Sequence, residues 1–179
     1  MDVAGEPCLQ ISLKDISRHK ALEHKIGMLN QRDPLTGLAN KRKFAIELNQ
    51  CLEKAKTGGT CTLITLELLR LRELNDKLGQ ATADRALLML SGLLKQQTED
   101  GHLLGRLGGG QFAVLLRGLP REQSGPHRDR YQAIAREFRF AHQGKPLDFE
   151  FAFGVEEIDA GVQDVPKFLN DCYKTALDN

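Results

Sequence analysis

The hydrophobic positions of this chain change their spacing several times, and each change predicts an element of secondary structure. The segment CTLITLELL, residues 61–69, is β-branched and apolar on both faces, which predicts a central strand of a sheet. Phe149, Phe151 and Phe153 alternate with other residues and predict a second strand. Apolar residues at helical spacing predict amphipathic helices at about 41–56, 81–95 and 165–177.

Three consecutive glycines, Gly108–Gly110, divide the segment RLGGGQFAVLL, residues 106–116, into two apolar runs. Glycine tolerates positive φ and lets a ligand approach the backbone closely, so the pattern predicts a β-hairpin with an accessible tip. Farther along the chain, the polar segment 121–130 is predicted to be a loop, and the segment 132–141 is predicted to be a helix.

The predicted order of elements is α-α-β-α-β-β-α-β-α, which is compatible with a mainly antiparallel sheet flanked by helices. The first of these helices runs from Asp15 to about Asn30, and its sparse apolar stripe is too narrow to bury itself. Either it packs on the globular domain as an ordinary helix capped by Asp15, or it pairs with a second copy. The stripe consists of Ile16, Leu22, Ile26 and Leu29.

Composition narrows the class of protein. The 179 residues are 41% hydrophobic and 27% charged, as in a soluble globular chain, and the net charge of +1 argues against a nucleic-acid surface. No apolar run approaches the roughly 20 residues of a membrane span. The four cysteines lack metal-ligand spacing, so free thiols in a reducing cytoplasm are expected.

Two motifs carry a resemblance to a known family. The segment RDPLTGLANKRKF, residues 32–44, is followed about 65 residues later by RLGGGQF, residues 106–112. In order and spacing they resemble D-x-L-T-G-L-x-N-R-R-x-F and R-x-G-G-D/E-E-F, the signatures of the GGDEF family. That family comprises the diguanylate cyclase domains of bacterial cyclic-di-GMP signalling, and the resemblance covers residue 32 to the C-terminus.

The resemblance implies an α/β (α+β) fold for residues 32–179, a nucleotidyl-cyclase palm with a ferredoxin-like, mainly antiparallel sheet. Residues 1–31 resemble the last strand of a PAS sensor domain and the signalling helix that follows it. The resemblance further implies an EAL-type phosphodiesterase domain elsewhere in the same protein, a homodimer through the N-terminal helix, and a cytoplasmic location.

Joining two GTP molecules requires divalent metal held by clustered carboxylates. The resemblance implies that these acids would stand at the positions of Glu67, Leu69, Gly110 and Gln111. Glu67 is therefore the only remaining candidate for metal binding. We expect no catalytic residue, no required cofactor, and weak or absent Mg²⁺ binding, because a neutral amide is a poor substitute for a carboxylate.

A guanine-nucleotide site is also implied by the resemblance. Asn75 and Asp84 match the family's base-contacting positions, Arg72 matches a phosphate-binding lysine, and Gly108 and Gly109 match the turn. An amide and a carboxylate suit the donors and acceptors of guanine. The alternative is structural: Asn75 ends a turn and Asp84 caps the next helix. GTP is accordingly a candidate ligand rather than a required one.

The family's product-inhibition motif, R-x-x-D, falls on Glu99 and His102 in this chain. Both members are replaced, so no inhibitory site of that kind is expected. The histidines have no partner spacing, and we expect them to be surface or turn residues rather than metal ligands.

These observations predict a catalytically inactive domain that transmits a signal, with guanine nucleotide as a candidate ligand. Two alternatives remain open at this point. One is a divergent but active diguanylate cyclase, and the other is a dimerisation module without a ligand.

Overall fold

The computed structural model describes residues 31–177. Its helices and strands, in chain order, are α1 Lys41–Ala55, β1 Cys61–Leu68, α2 Leu71–Leu78, α3 Gln80–Gln97, β2 Leu103–Gly108, β3 Gln111–Arg117, α4 Gly125–Glu137, β4 Phe140–His142, β5 Lys145–Leu147, β6 Phe151–Glu157 and α5 Val165–Leu177.

Four strands form an antiparallel sheet in the order β2-β3-β1-β6, and β4 and β5 form a separate two-stranded ladder. The apolar strand β1 is central, as its sequence predicts, because it pairs with β3 on one side and β6 on the other. The register places Glu67, near the end of β1, opposite Gln111 at the start of β3. The predicted mixed fold with an antiparallel sheet and flanking helices is confirmed.

Alternate side chains of β1 enter two different cores, which is why both faces of this strand are apolar. Leu66 and Leu68 belong to the core that contains the buried face of α3 and Tyr131 of α4. Leu63 belongs to the core formed with α1 and α5. The sheet is thus covered on both faces, and its strand ends are fixed by packing from two directions.

The helices α2 and α4 and the strands β4 and β5 differ from the sequence prediction. The short helix α2 was not predicted, and α4 begins at Gly125, inside the segment predicted to be a loop, because Pro126 is well accommodated in the first turn of a helix. At the other end α4 stops at Glu137, and the chain turns back through β4 and β5. The tight turn at Gln143 and Gly144 has positive φ at both residues, a geometry that a helical apolar pattern does not reveal.

The predicted N-terminal helix lies outside the described residues. Within residues 31–177, no helix is long and apolar enough to cross a membrane. Among the residues that the structure describes, the buried members of the two cores run from Leu38 to Tyr173.

We therefore expect a chain lacking residues 1–30 to fold as a monomer, because both cores of the sheet are retained. Thermal unfolding monitored by circular dichroism, together with size-exclusion chromatography, would measure this. An unfolded truncated chain would mean that the N-terminal segment belongs to the core.

Candidate functional site

A groove of about 530 Å³ opens where β1 ends, between the start of α2, the N-terminal half of α3 and the glycine turn that joins β2 to β3. Its volume lies within the range of small-molecule sites. Several residues predicted from the sequence line it together: Glu67, Leu69, Arg72, Asn75, Asp84, Gly109 and Gly110. Gly108 and Gln111 flank the same turn without lining the groove.

Asn75 and Asp84 face the groove from two successive helices. The structural alternative for Asp84 is wrong, because α3 begins at Gln80 with Gly79 as its N-cap, which places Asp84 in the second turn. Asn75 lies inside α2 rather than at the end of a turn. Within the part of the chain that the structure describes, neither side chain has a hydrogen-bond or ion-pair partner, so an amide and a carboxylate remain available to a ligand.

Two arginines line the groove beside these groups. Arg72, predicted from the sequence, is exposed in the first turn of α2. Arg70, which the sequence analysis missed, has a left-handed backbone with φ 55° where β1 passes into α2, and its guanidinium lies 3.3 Å from Glu150. A non-glycine residue in this conformation is uncommon and often marks a functional site. The two cations suit a phosphate group at this edge.

The acidic side of the groove contains one carboxylate at the family's metal positions. Glu67 is half-buried, and Gln111 Nε2 donates a hydrogen bond of 3.4 Å to its Oε1. Leu69 contributes only its backbone N–H, which donates to the carbonyl of Glu150 at 2.9 Å. Mg²⁺ in phosphoryl-transfer sites is held by more than one oxygen ligand of this kind. The residues here do not fit the metal that the family implies, because an amide donor faces the single acid.

Gly110 lacks a carboxylate, and its backbone also lies close against the end of β1. Its carbonyl accepts a 2.9 Å hydrogen bond from the N–H of Leu68, which draws the turn against the end of β1. A Cβ atom built at Gly110 would lie 2.4 Å from the Leu68 carbonyl oxygen. Since that oxygen belongs to a sheet strand, it has little freedom to move. In this backbone, any side chain at position 110, including the family's acid, therefore requires the turn or the end of β1 to shift.

Arg106 fixes the same turn from the other side. Its Nη1 lies 3.1 Å from both carboxylate oxygens of Asp33, while Nε and Nη2 donate to the carbonyl of Gly109 at 3.0 and 2.8 Å. The two side chains are only 12% and 13% exposed. Burial raises the pKa of Asp33, but hydrogen bonds from Thr36 and Arg106 outweigh it and lower the pKa below its ordinary value. This pair joins the two sequence motifs.

A second anchor, missed from the sequence, lies beneath the turn. The hydroxyl of Tyr173 in α5 donates a 2.6 Å hydrogen bond to the carbonyl of Phe112. Burial first, and the nearby carboxylate of Glu67 second, raise the pKa of Tyr173 well above its ordinary value. The hydroxyl therefore stays protonated and holds the start of β3 against α5. In the sequence, the only signal for Tyr173 is the loose match of the C-terminal segment that contains it to the family's pattern.

Two histidines that were predicted to be separate surface or turn residues lie in contact with each other. The rings of His102 and His127 lie with centroids 5.2 Å apart at 85°, and His127 is buried rather than on the surface. Glu99 lies beside them. The structure thus brings the two residues at the expected inhibitory positions, Glu99 and His102, together with a third residue 25 positions later in the chain.

Known proteins are similar to this chain in sequence and in fold. The family model described as diguanylate cyclase, GGDEF domain, matches residues 30–176. A probable diguanylate cyclase of Escherichia coli, DgcJ, is 31% identical over 107 residues, 59% of this chain and 22% of its own length. The cyclic di-GMP phosphodiesterase PdeB of Shewanella oneidensis is 27% identical over 106 residues, which are 59% of this chain. The chain spans about a fifth of DgcJ and 12% of PdeB.

Two solved structures from Pseudomonas aeruginosa have the same fold. The diguanylate cyclase SiaD, crystallised with its activator SiaC, aligns with a TM-score of 0.75 at 25% identity over 95% of this chain and 65% of its own. The FimX GGDEF domain aligns with a TM-score of 0.75 at 25% identity over 84% of this chain and 93% of its own. Because the family model spans both motifs that Asp33 and Arg106 join, the chain belongs to the GGDEF family of diguanylate cyclase domains.

Proposed function

We propose that this GGDEF domain is catalytically inactive and acts in the cytoplasm as a nucleotide-responsive regulatory module of cyclic-di-GMP signalling. The observation that supports this is the turn at Gly110, where glycine replaces the family's acid and where a Cβ atom would lie 2.4 Å from the Leu68 carbonyl oxygen. With Leu69 and Gln111 at two further acid positions, Glu67 is the single carboxylate left.

The missing acids matter because cyclase chemistry depends on the metal that they would hold. Attack of a 3′-hydroxyl on an α-phosphorus needs positive charge to neutralise the triphosphate as the transition state forms. Loss of such electrostatic stabilisation amounts to several kcal/mol and many orders of magnitude in rate. Arg70 and Arg72 lie on the groove, but Arg70 is paired with Glu150. A single remaining acid and surface-exposed arginines do not substitute for the metal.

Nucleotide binding is supported by a different part of the groove. Asn75 and Asp84 suit the O6 acceptor and the N1 and N2 donors of guanine, and Arg72 suits phosphate. None of these contacts depends on the acids that the chain lacks. We therefore expect GTP to bind weakly, selectively over ATP, and with little dependence on Mg²⁺.

A regulatory role follows from binding without turnover. A ligand that orders the groove biases the packing of α2 and α3 on the sheet, and a neighbouring domain can respond to that change. A related chain is named a cyclic di-GMP phosphodiesterase, which supports an EAL-like neighbour in this protein as well. A PAS-like domain before residue 32 would supply the input through the N-terminal helix.

The first test is incubation of the purified chain with GTP and Mg²⁺, followed by chromatography for cyclic-di-GMP. We expect no product above a blank without protein. Magnesium-dependent product at a steady rate would establish the divergent-cyclase alternative instead. Calorimetric titration with GTP, ATP and GTP plus EDTA then separates a nucleotide-binding domain from a ligand-free module, which would give no heat with any nucleotide.

We expect Asp84→Ala to weaken GTP binding about ten-fold or more, because a charge-assisted hydrogen bond to the base contributes roughly 1–3 kcal/mol. The matched control is Asp76→Ala, an exposed acid of α2 that does not line the groove. Titration calorimetry measures both dissociation constants. Equal losses in the two variants, or equal affinity for ATP and GTP, would contradict the guanine assignment.

A further inference from the structure

We infer that Glu99, His102 and His127 form a binding site for a divalent transition metal of the Zn²⁺ class, separate from the nucleotide groove. One ligand atom from each of the three residues, a carboxylate oxygen and two imidazole nitrogens, lies within 4.8 Å of the other two. None of these residues lines the groove beside β1. Two imidazoles and one carboxylate are ligands that Zn²⁺ accepts.

The backbone holds the cluster in place from two elements. Glu99 and His102 lie in the tight turn between α3 and β2, where the N–H of His102 donates to the carbonyl of Glu99 at 3.2 Å. His127 lies in the first turn of α4 and is 9% exposed. Leu104 of β2, which follows the turn, and Tyr131 of α4 belong to the same core, so the two elements that carry the cluster are held together by packing.

An unpartnered buried nitrogen points to a missing ligand. His127 Nδ1 is buried, and within the described part of the chain it has no hydrogen-bond partner. Buried polar atoms are almost always paired, so an exception of this kind calls for an explanation. Coordination of a cation in the cluster by this nitrogen would give it the partner that it lacks.

Arg130 competes with a metal for Glu99, and the backbone of Arg117 contacts His102. Arg130 Nη1 lies 2.7 Å from Glu99 Oε1, and the backbone N–H of Arg117 donates to His102 Nδ1 at 3.3 Å. Glu99 has a second oxygen that it can present to a metal while one oxygen stays paired with Arg130. The guanidinium of Arg117 is held by Glu47 at 2.6 Å and by the carbonyl of Gly101 at 3.1 Å.

The competition between Arg130 and a metal for Glu99 predicts that a substitution of Arg130 strengthens metal binding. Removing Arg130 takes away a cation and releases Glu99, so the metal should bind more tightly in Arg130→Gln than in the native chain. A cluster that is merely a surface ion pair would show no metal binding to strengthen. Three protein ligands also leave the ion an open position for water or for a group from another molecule.

The experiment is calorimetric titration of the full chain with Zn²⁺, with Co²⁺ absorption spectra as a second readout of coordination. We expect one equivalent to bind, a loss of at least ten-fold in affinity in Glu99→Gln and His102→Gln, and a gain of several-fold in Arg130→Gln. Because His127 is buried, His127→Gln is interpreted only if its far-ultraviolet circular dichroism matches the native chain.

Two controls address other histidines. His142→Gln removes an imidazole of β4 whose Nδ1 lies 3.1 Å from Thr82 Oγ1, and His19→Gln with His24→Gln removes the N-terminal pair. Both should bind Zn²⁺ as the native chain does. Native-like binding in Glu99→Gln and His102→Gln, loss of binding in either control, or no stoichiometric binding to the native chain would overturn the proposal.

Discussion

Substitution of Gly110 by alanine is expected to destabilise the domain by about 3 kcal/mol, at the upper end of the range for overpacking a well-packed site. The new Cβ would lie 2.4 Å from the Leu68 carbonyl oxygen, and that oxygen belongs to the central strand. The turn must therefore move away from β1, and the 2.9 Å hydrogen bond between Leu68 and Gly110 must break. Chemical denaturation measures the change in the free energy of unfolding.

Two other glycines separate the clash from general effects of a methyl group. Gly92→Ala, in the middle of α3 with nothing within 4 Å, should stabilise the domain by about 0.5–1 kcal/mol. Gly109→Ala, with open space but φ at +51°, should lose about 1–2 kcal/mol for the left-handed backbone alone. A Gly110→Ala variant as stable as the native chain would show that the turn has room for a side chain.

The same clash bears on any attempt to restore activity. A Gly110→Asp, Gln111→Glu double variant rebuilds the family motif in sequence, yet we expect it to be unstable and still to make no cyclic-di-GMP from GTP. Gln111→Glu alone leaves Gly110 unchanged but places a second acid opposite Glu67, so it measures the cost of the like charges separately from that of the clash.

Breaking the pair between Asp33 and Arg106 is the second large effect. Asp33→Asn should destabilise the domain by about 2–3 kcal/mol at neutral pH, since hydrogen bonds to charged groups contribute about that much and a part-buried guanidinium would be left unpaired. Arg128 and Asp129 form an exposed pair at 3.0 Å, so Asp129→Asn should change stability by less than about 1 kcal/mol. Equal effects in the two variants would contradict the structural role of Asp33.

The pH dependence of this effect has a definite sign. Because the pKa of Asp33 is lower in the folded chain than in the unfolded one, its contribution is fully present above the unfolded value, near 4, and is lost as pH falls through the folded value. The stability difference between the native chain and Asp33→Asn should therefore shrink below about pH 4. Urea titrations at a series of pH values measure it, and a constant difference would exclude the ionised pair as its source.

Much of this protein could be predicted from its sequence because the relevant forces are local. The continuous apolar run at 61–69 determined a central strand, since only a strand covered on both faces needs apolar residues at every position. The glycines at 108–110 determined a hairpin turn. The two motifs together determined the family, and the missing acids follow directly from residue identity.

Other features depended on where distant segments meet. The turn at 143–144 was missed because the apolar pattern of a helix runs on to a chain reversal that depends on backbone geometry. The start of α4 at Gly125 was missed because its first residues are polar and lack an apolar period. The pairing of His102 with His127 could not be seen either, because no spacing rule relates a turn before β2 to the start of α4.

By itself, the sequence determined the fold, the family and the loss of acidic groups, because each depends on residue type and local periodicity. Tertiary structure alone decided that a side chain at position 110 would meet the Leu68 carbonyl, that Arg106 is held by Asp33, and that Asp84 is not a helix cap. The first two depend on atoms that are distant in the sequence and about 3 Å apart or less in the folded chain. The third depends on where α3 begins. Such distances are fixed only when the strands and helices come together.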